Sequence, residues 1–165
     1  MKLLRFAPLA LIGLVGGAQA EASLELPQID HVVVRKGERT ITLYAQGEAV
    51  RIIGGIQLGD VPMGPKRFQG DERTPEGRYL IDYGNPESAY YLSLHISYPS
   101  ARDATFAEAQ GRSPGGQIFI HGQPNGWRES RVPGDWTDGC IAVSNEEMEA
   151  LWQSVPDGTV IDILP

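Results

Sequence analysis

The chain has 165 residues, 14 of them basic and 21 acidic, and a formal net charge of −7 at neutral pH. This length fits one domain and leaves no room for a second hydrophobic core. The acidic balance argues against nucleic acid or an anionic membrane surface as a partner, because both carry negative charge themselves.

The first twenty residues, MKLLRFAPLALIGLVGGAQA, predict a secretory signal peptide. Lys2 and Arg5 precede an apolar run, and Ala18-Gln19-Ala20 supplies a small-residue cleavage pattern. The run is shorter than the ~20 residues that span a bilayer, so no stable membrane insertion is expected after cleavage. We therefore expect one periplasmic or extracellular domain over residues 21–165, with 12 basic residues against 21 acidic ones.

Short strands separated by turns dominate the first half of this domain. The runs 31–35, 39–45 and 48–53 are rich in β-branched residues, with turn residues between them. The segment 63–81 contains several glycines and prolines, which predicts a long ordered loop that ends in a strand. Tyr79 in that strand is expected to lie in the core.

The second half adds helices to the strands. We predict a strand over 90–99, a helix over 100–110 capped by Ser100, a strand over 116–122, a helix starting at Ser144 or Asn145, and a strand over 159–164. On the 90–99 strand, His95 shares a face with Tyr91 and Ser93. The fold class is therefore mainly β, with one or two short helices.

Cys140 is the only cysteine of the chain. A free thiol in an oxidising compartment risks oxidation, so it is either a buried small residue or a functional nucleophile. Asp138-Gly139 suits a tight turn, in which the backbone amides of Cys140 and a neighbour can form an oxyanion hole beside the sulfur.

His121 is the best candidate for the base that such a thiol requires. It ends the buried strand IFIH immediately before Gly122, where the chain changes direction and side chains face a cleft. Taken alone, it is better explained as a strand-end histidine bound to a backbone carbonyl. Its pairing with an unpaired cysteine favours the catalytic interpretation.

These residues resemble the YkuD-like L,D-transpeptidase catalytic domain family. In that family a histidine is followed, after a gap of about fifteen residues, by Ser/Thr-His-Gly-Cys; here Thr137, Gly139 and Cys140 match. The segment GPKRFQGDERTPEGRYLI also resembles the family, so the similarity extends over roughly 29–165. Asp138 stands where the family usually has histidine, and Ala142 stands where many members have arginine.

The resemblance implies a YkuD-like β-sandwich or barrel and a cysteine acyltransferase of peptidoglycan. The Cys140 thiolate, activated by His121, would attack a stem-peptide carbonyl and release the terminal D-alanine. An amine of a second stem, or of a wall-anchored lipoprotein, would then take the acyl group. Because Asp138 and Ala142 depart from the family pattern, the resemblance does not determine which molecule accepts the acyl group. If water accepts it, the domain is an L,D-carboxypeptidase or a releasing hydrolase. A non-catalytic wall-binding module is the third alternative.

Other residues are candidates for binding substrate. The oxyanion and substrate-binding candidates are Gly139, Thr137, Asp138, Gly122, Arg128, Arg131 and His95. The two arginines lie between base and nucleophile and could meet substrate carboxylates, although exposed loop arginines are usually only solvated. Trp127 and Trp136 flank the same loop and could form a cleft wall. The three histidines show no paired metal-ligand spacing, so neither a metal nor another cofactor is predicted.

Overall fold

The computed structural model describes residues 26–165 of the chain. The predicted signal peptide, residues 1–20, and the proposed mature start at Glu21 lie outside the described residues. No helix within 26–165 is long and apolar enough to cross a bilayer.

Eight strands form one curled sheet, and two helices pack against it. The elements are β1 (His31–Arg35), β2 (Thr40–Ala45), β3 (Glu48–Gly54), β4 (Gly77–Asn85), β5 (Ser93–Ile96), α1 (Ala101–Glu108), β6 (Ile118–His121), β7 (Ile141–Ala142), α2 (Asn145–Ser154) and β8 (Thr159–Leu164). The strand order is β3-β2-β1-β8-β4-β5-β6-β7. The mainly β class with two short helices is thereby confirmed.

The pairing of the strands follows their positions in the chain. The short connections β1–β2 and β2–β3 give antiparallel pairs, as two-residue to four-residue turns allow. β8 returns from the end of the chain to lie parallel to β1 and antiparallel to β4. β7 lies parallel to β6 at the sheet edge, with Ile120 opposite Ile141 and His121 opposite Ala142.

Alternating apolar side chains build one core beneath the sheet. Ile41 and Leu43 of β2 are fully buried, and Met148 and Leu151 of α2 join them in the same hydrophobic cluster. Tyr79 is 5% exposed, which confirms its predicted place in the core. Because α2 contacts β5 and β6, its first turn lies next to the end of the strand that carries His121.

Both helices begin where capping residues predict. The Ser100 side chain accepts from the amide of Asp103, and the Ser144 side chain accepts from the amide of Glu147; each completes a capping box. The strand predicted over 90–99 is shorter, because Tyr91 has φ 69°, a left-handed conformation that extended backbone does not contain. Residues 86–92 instead form turns and bends between β4 and β5.

Two buried lysines hold the long segment between β3 and β4 in place. The Lys36 ammonium contacts the carbonyl oxygens of Gly64 (2.7 Å) and Thr74 (3.1 Å), and the Lys66 ammonium contacts Asp71 Oδ1 at 2.8 Å. Asp71 also accepts from the amide of Arg67 at 2.6 Å. The segment is therefore an ordered loop, as its turn residues predict, and it forms one wall beside Cys140.

Candidate active site

β6 delivers His121 into a buried position at the end of the sheet. The side chain is 4% exposed, and its Nδ1 lies 2.7 Å from the carbonyl oxygen of Gly122. A carbonyl oxygen only accepts hydrogen bonds, so Nδ1 carries the proton and donates it. Nε2 is then the unprotonated ring nitrogen, which is the form a general base needs.

The surroundings of His121 keep its ring neutral. Burial lowers the pKa of the imidazole, and the hydrogen bond to Gly122 opposes this shift only partly. The rings of Tyr90 and Trp136 pack against it, with centroids 4.6 Å and 5.5 Å from the imidazole. These aromatic contacts restrict the orientation of the ring and exclude water from it.

Gly122 allows this end of β6 to approach its neighbours closely. A Cβ at this position would lie 2.5 Å from Asn145 Oδ1 and 2.9 Å from Tyr91 Cβ. The same Asn145 oxygen accepts from the amide of Gln123 at 2.8 Å. Gly122 therefore fits the first turn of α2 against the strand that carries the base, and its role in binding the oxyanion or the substrate stays a prediction.

Cys140 follows a turn whose conformation depends on Thr137 and Gly139. Thr137 Oγ1 donates to the carbonyl oxygen of Cys140 at 2.7 Å and accepts from the amide of Gly139 at 3.3 Å. Gly139 has φ 120°, and a Cβ there would lie 2.5 Å from the carbonyl oxygen of Arg73. Only glycine fits both the backbone angle and the space.

The turn places the sulfur against β6. Cys140 Sγ lies 3.4 Å from the amide nitrogen of Phe119 and 3.5 Å from the carbonyl oxygen of Gln117. Gln117 itself has φ 57°. Since β7 starts at the next residue and pairs with Ile120, the register of this parallel pair fixes where the thiol lies.

Cys140 and His121 line the same cavity, which has a volume of about 310 Å³. Its other walls are neutral and come from the end of β4, the turn that follows it, β5, and β6 with the residue before it: Asn85, Ser88, Ala89, Tyr90, Ser93, Gln117 and Phe119. A second cavity, of about 600 Å³, is lined by Asp138, Lys66 and Glu72 among others. Gln117 lines both cavities, so the nucleophile lies at the boundary between a neutral and a charged compartment.

The surroundings of Cys140 favour its neutral thiol. Burial raises the pKa of Cys140, the hydrogen bond from the Phe119 amide lowers it, the Asp138 carboxylate raises it, and Lys66 lowers it. The net shift is upward, so the thiolate forms only with help from a base. Asp138 is itself exposed, with its side chain in the larger cavity.

The remaining predicted site residues, Arg128, Arg131 and His95, do not line the cavity that holds Cys140 and His121. Arg131 donates to both carboxylate oxygens of Glu147 (2.9 and 2.7 Å) and to the carbonyl oxygen of Gly54, so its guanidinium holds the loop to α2. Arg128 is exposed on the loop. His95 lies on β5 behind Phe119, with its Nδ1 2.6 Å from Asp82 Oδ1.

The two tryptophans that flank the loop and the remaining histidine, His31, lie in different parts of the fold. Trp136 forms a wall beside His121 and Tyr90, whereas Trp127 is 39% exposed. His31 lies on β1, where its Nε2 is 2.9 Å from Asp162 Oδ2. Over residues 26–165, no three His, Cys, Asp or Glu side chains converge as a metal site would require.

Sequence reasoning missed several cavity residues. Tyr90 and Ser93 were assigned to a regular strand, and nothing in the sequence marks the turn that brings the Tyr90 ring over His121. Only Ser93 could have been found from the sequence. Once β5 and β6 are recognised as antiparallel neighbours, their register places Ser93 opposite His121. Gln117 and Phe119 contact the sulfur through backbone atoms, which their side-chain types do not reveal.

The chain is similar to known proteins over most of its length. A family model described as YkuD, L,D-transpeptidase catalytic domain, matches residues 29–163. YafK from Escherichia coli strain K12, provisionally named an L,D-transpeptidase, is 29% identical over 135 residues, which are 79% of this chain and 48% of YafK. The chain therefore spans about half the length of the curated relative.

Solved structures share the fold. The helical cell shape determining protein Pgp2 from Campylobacter jejuni superposes with a TM-score of 0.64 at 29% identity, covering 83% of this chain and 48% of Pgp2. Bd1075 from Bdellovibrio bacteriovorus superposes with a TM-score of 0.57 at 22% identity, covering 83% of this chain and 48% of Bd1075. The second likeness concerns the fold alone.

Proposed function

Because the chain belongs to the YkuD family of L,D-transpeptidase catalytic domains, we propose that it is a periplasmic cysteine acyltransferase of peptidoglycan stem peptides. Cys140 is the nucleophile and His121 is its base. One observation carries the proposal: both side chains line a single cavity, and the bond to Gly122 leaves Nε2 of His121 free to take a proton. A role in cell shape, which the name of Pgp2 states for that protein, is the proposed biological setting.

The first half-reaction forms a thioester. His121 Nε2 takes the proton of Cys140 Sγ, and the thiolate attacks the carbonyl carbon of the diaminopimelate L-centre. The backbone amide of Cys140, which donates to no acceptor between residues 26 and 165, stabilises the resulting oxyanion. The C–N bond to the terminal D-alanine then breaks, and His121 returns its proton to the leaving amine.

The second half-reaction passes the acyl group to an amine. The acceptor nitrogen attacks the thioester carbon and loses a proton to His121, the C–S bond breaks, and the sulfur takes the proton back. The products are a new amide and the original thiol. The amine belongs to a second stem peptide or to a wall-anchored lipoprotein. With water as the acceptor, the same steps release a tripeptide acid, which is the hydrolase alternative.

A muropeptide assay tests the proposal. The protein is incubated with tetrapeptide muropeptides, with and without an amine acceptor, and the products are identified by mass spectrometry. Cross-linked dimers are expected; tripeptide alone would establish the hydrolase instead. Cys140→Ala should abolish both the products and a covalent carbapenem adduct, because the acylated atom is gone.

Two histidine variants test the base in the same assay. His121→Ala should slow acylation by about 10²- to 10⁴-fold, the usual contribution of a general base. His31→Ala is the matched control and should react like the wild type, because His31 contacts Asp162 on the opposite part of the sheet. His121→Asn checks that loss of packing is not the cause. Unchanged thiol reactivity in both His121 variants contradicts the base assignment, and no product or adduct from the wild type points to a non-catalytic module.

A further inference from the structure

A row of arginines and phenylalanines covers the face formed by α1 and the loop before β4. The Arg112 guanidinium carbon lies 3.7 Å from the Phe68 ring centroid, and the Arg67 guanidinium carbon lies 4.6 Å from the Phe106 centroid. The two rings are 6.0 Å apart, and Phe106 is 42% exposed. We call Arg67, Phe68, Arg102, Phe106 and Arg112 the arginine ridge.

Among residues 26–165, the arginines of this ridge have no carboxylate partner. Four arginines of the described residues pair with acids: Arg35 with Glu38, Arg39 with Asp135, Arg78 with Asp162, and Arg131 with Glu147. Arg51, Arg73 and Arg128 form no such pair among residues 26–165 either, so it is the clustering of the ridge arginines that distinguishes them. Over the part of the chain that the structure describes, Arg67, Arg102 and Arg112 form no such ion pair within 4.0 Å. Unpaired cations collected on one face of an acidic chain are complementary to an anionic partner.

A cleft of about 280 Å³ opens between two of these arginines. Arg67 and Arg102 line it together with Arg78. Its two carboxylates already have partners within the fold: Glu76 lies 2.9 Å from the Lys36 ammonium, and Asp103 caps α1 and accepts from Tyr79 at 3.0 Å. The Arg67 and Arg102 guanidinium groups are therefore left to interact with a ligand, whereas Arg78 is already paired with Asp162.

Stacking on aromatic rings prepares Arg67 and Arg112 for that interaction. A guanidinium held over an aromatic ring loses little further freedom on binding, and its planar donors match a carboxylate in a bidentate pair. The exposed face of Phe106 adds apolar contact beside the charges. The ridge thus combines charge and apolar surface, as a site for a carboxylate-bearing chain requires.

The ridge adjoins the route to the nucleophile. The loop that supplies Arg67 and Phe68 continues with Gln69 and Gly70, which line the 600 Å³ cavity that reaches Asp138. Ser113, next to Arg112, lines the same cavity. A polymer bound on the ridge would therefore lie alongside the cavity that ends beside Cys140.

We propose that the arginine ridge binds carboxylate groups of the peptidoglycan polymer outside the catalytic cavity. This inference rests on the proposed function, because that function makes peptidoglycan the substrate. The ridge holds the polymer while Cys140 and His121 act on one stem peptide, so it contributes to polymer binding and not to chemistry on a short soluble substrate.

Co-sedimentation with purified peptidoglycan sacculi tests the ridge. The measurement uses Cys140→Ala protein, so that covalent capture does not contribute, at low and high NaCl. Arg102→Gln/Arg112→Gln should weaken binding about fivefold or more, and the wild-type affinity should fall with salt. The matched control Arg35→Gln/Arg51→Gln removes the same charge from β1 and β3 and should bind as before. Thermal unfolding of each variant confirms that the fold is retained.

Two further arms identify the ligand and separate this proposal from the proposed function. Sacculi with amidated carboxyl groups should lose ridge-dependent binding, whereas sacculi stripped of phosphate polymers should bind normally. In the Cys140 form, the ridge variant should retain turnover of soluble tetrapeptide. Equal binding by the ridge and control variants, or binding that survives carboxyl amidation, overturns the proposal even if the muropeptide assay succeeds. If the ridge variant loses binding but the wild type shows no turnover, the ridge stands and the domain is a binding module, not an enzyme.

Discussion

Two charged side chains near Cys140 act on its thiol in opposite directions. Burial is the largest influence and raises the pKa, the Asp138 carboxylate adds to it, and the Lys66 ammonium opposes it. The Lys66 charge is offset by Asp71, 2.8 Å away, whereas Asp138 is exposed beside the larger cavity. The residue that departs from the family motif therefore favours the neutral thiol.

Replacing Asp138 by asparagine tests this effect. Loss of the negative charge should lower the pKa of Cys140, because a carboxylate beside a thiolate disfavours the charged form. The midpoint of the pH profile for alkylation by iodoacetamide should move to lower pH. Asp157→Asn, which removes an exposed charge after α2, is the matched control and should leave the midpoint unchanged. A midpoint that stays in place or rises in Asp138→Asn would contradict the assignment.

At the scale of elements, a pair of buried amides joins the segments around base and nucleophile. Gln123 is 1% exposed; its Nε2 donates to the carbonyl oxygen of Val143 (2.6 Å) and to Gln57 Oε1 (3.2 Å). Its Oε1 accepts from the amide of Val132 at 2.8 Å. The Gln123 side chain thus connects three segments: the residues just after β6, the residues just after β7, and the loop between these two strands.

Gln123→Leu should destabilise the fold while leaving the shape of the side chain similar. The change leaves the Val143 carbonyl and the Val132 amide buried without this partner, at a cost of about 1–3 kcal/mol for each unsatisfied group. Urea unfolding should show a lower free energy of unfolding by roughly 2 kcal/mol or more. Gln153→Leu on the exposed face of α2 is the control, expected within about 0.5 kcal/mol of wild type. Equal stability of the two variants would exclude the proposed connection.

At the scale of the whole molecule, three paired carboxylates and one buried imidazole make the stability of the fold depend on pH. Burial works against ionisation at Asp71 and Asp135, but hydrogen bonds outweigh it and lower both pKa values. The hydrogen bond from Arg78 lowers the pKa of Asp162 to about 2. His121 is buried in its neutral form, with a lowered pKa. Because the pKa values of all four groups are lower in the fold than in the unfolded chain, lowering the pH through their range decreases the free energy of unfolding.

The melting temperature should therefore fall in acid in two stages. Below the ordinary histidine pKa of 6.5, unfolding takes up a proton at His121, so stability begins to decrease. The carboxylate contributions are complete above 3.8 and are lost as the pH falls toward 2. Asp71→Asn should lower stability at neutral pH and flatten the acid slope, whereas Asp157→Asn should change neither. A melting temperature constant from pH 7 to pH 3 would contradict this account.

The sequence by itself determined the features that depend on near neighbours in the chain. The capping boxes at Ser100 and Ser144 and the apolar alternation of β2 involve contacts within a few residues, so their patterns are legible in one dimension. The lone cysteine, the strand-end histidine and their family-like spacing likewise indicated the family that the comparison shows. The signal peptide stays a prediction.

Only the tertiary structure decided what surrounds the candidate pair. The parallel register of β6 and β7 places Cys140 beside Phe119, and the turn before β5 brings Tyr90 onto His121. The same long-range packing pairs Arg131 with Glu147. These contacts join residues far apart in the chain. Their geometry depends on how all eight strands pair and pack, and no local pattern of residues contains that information.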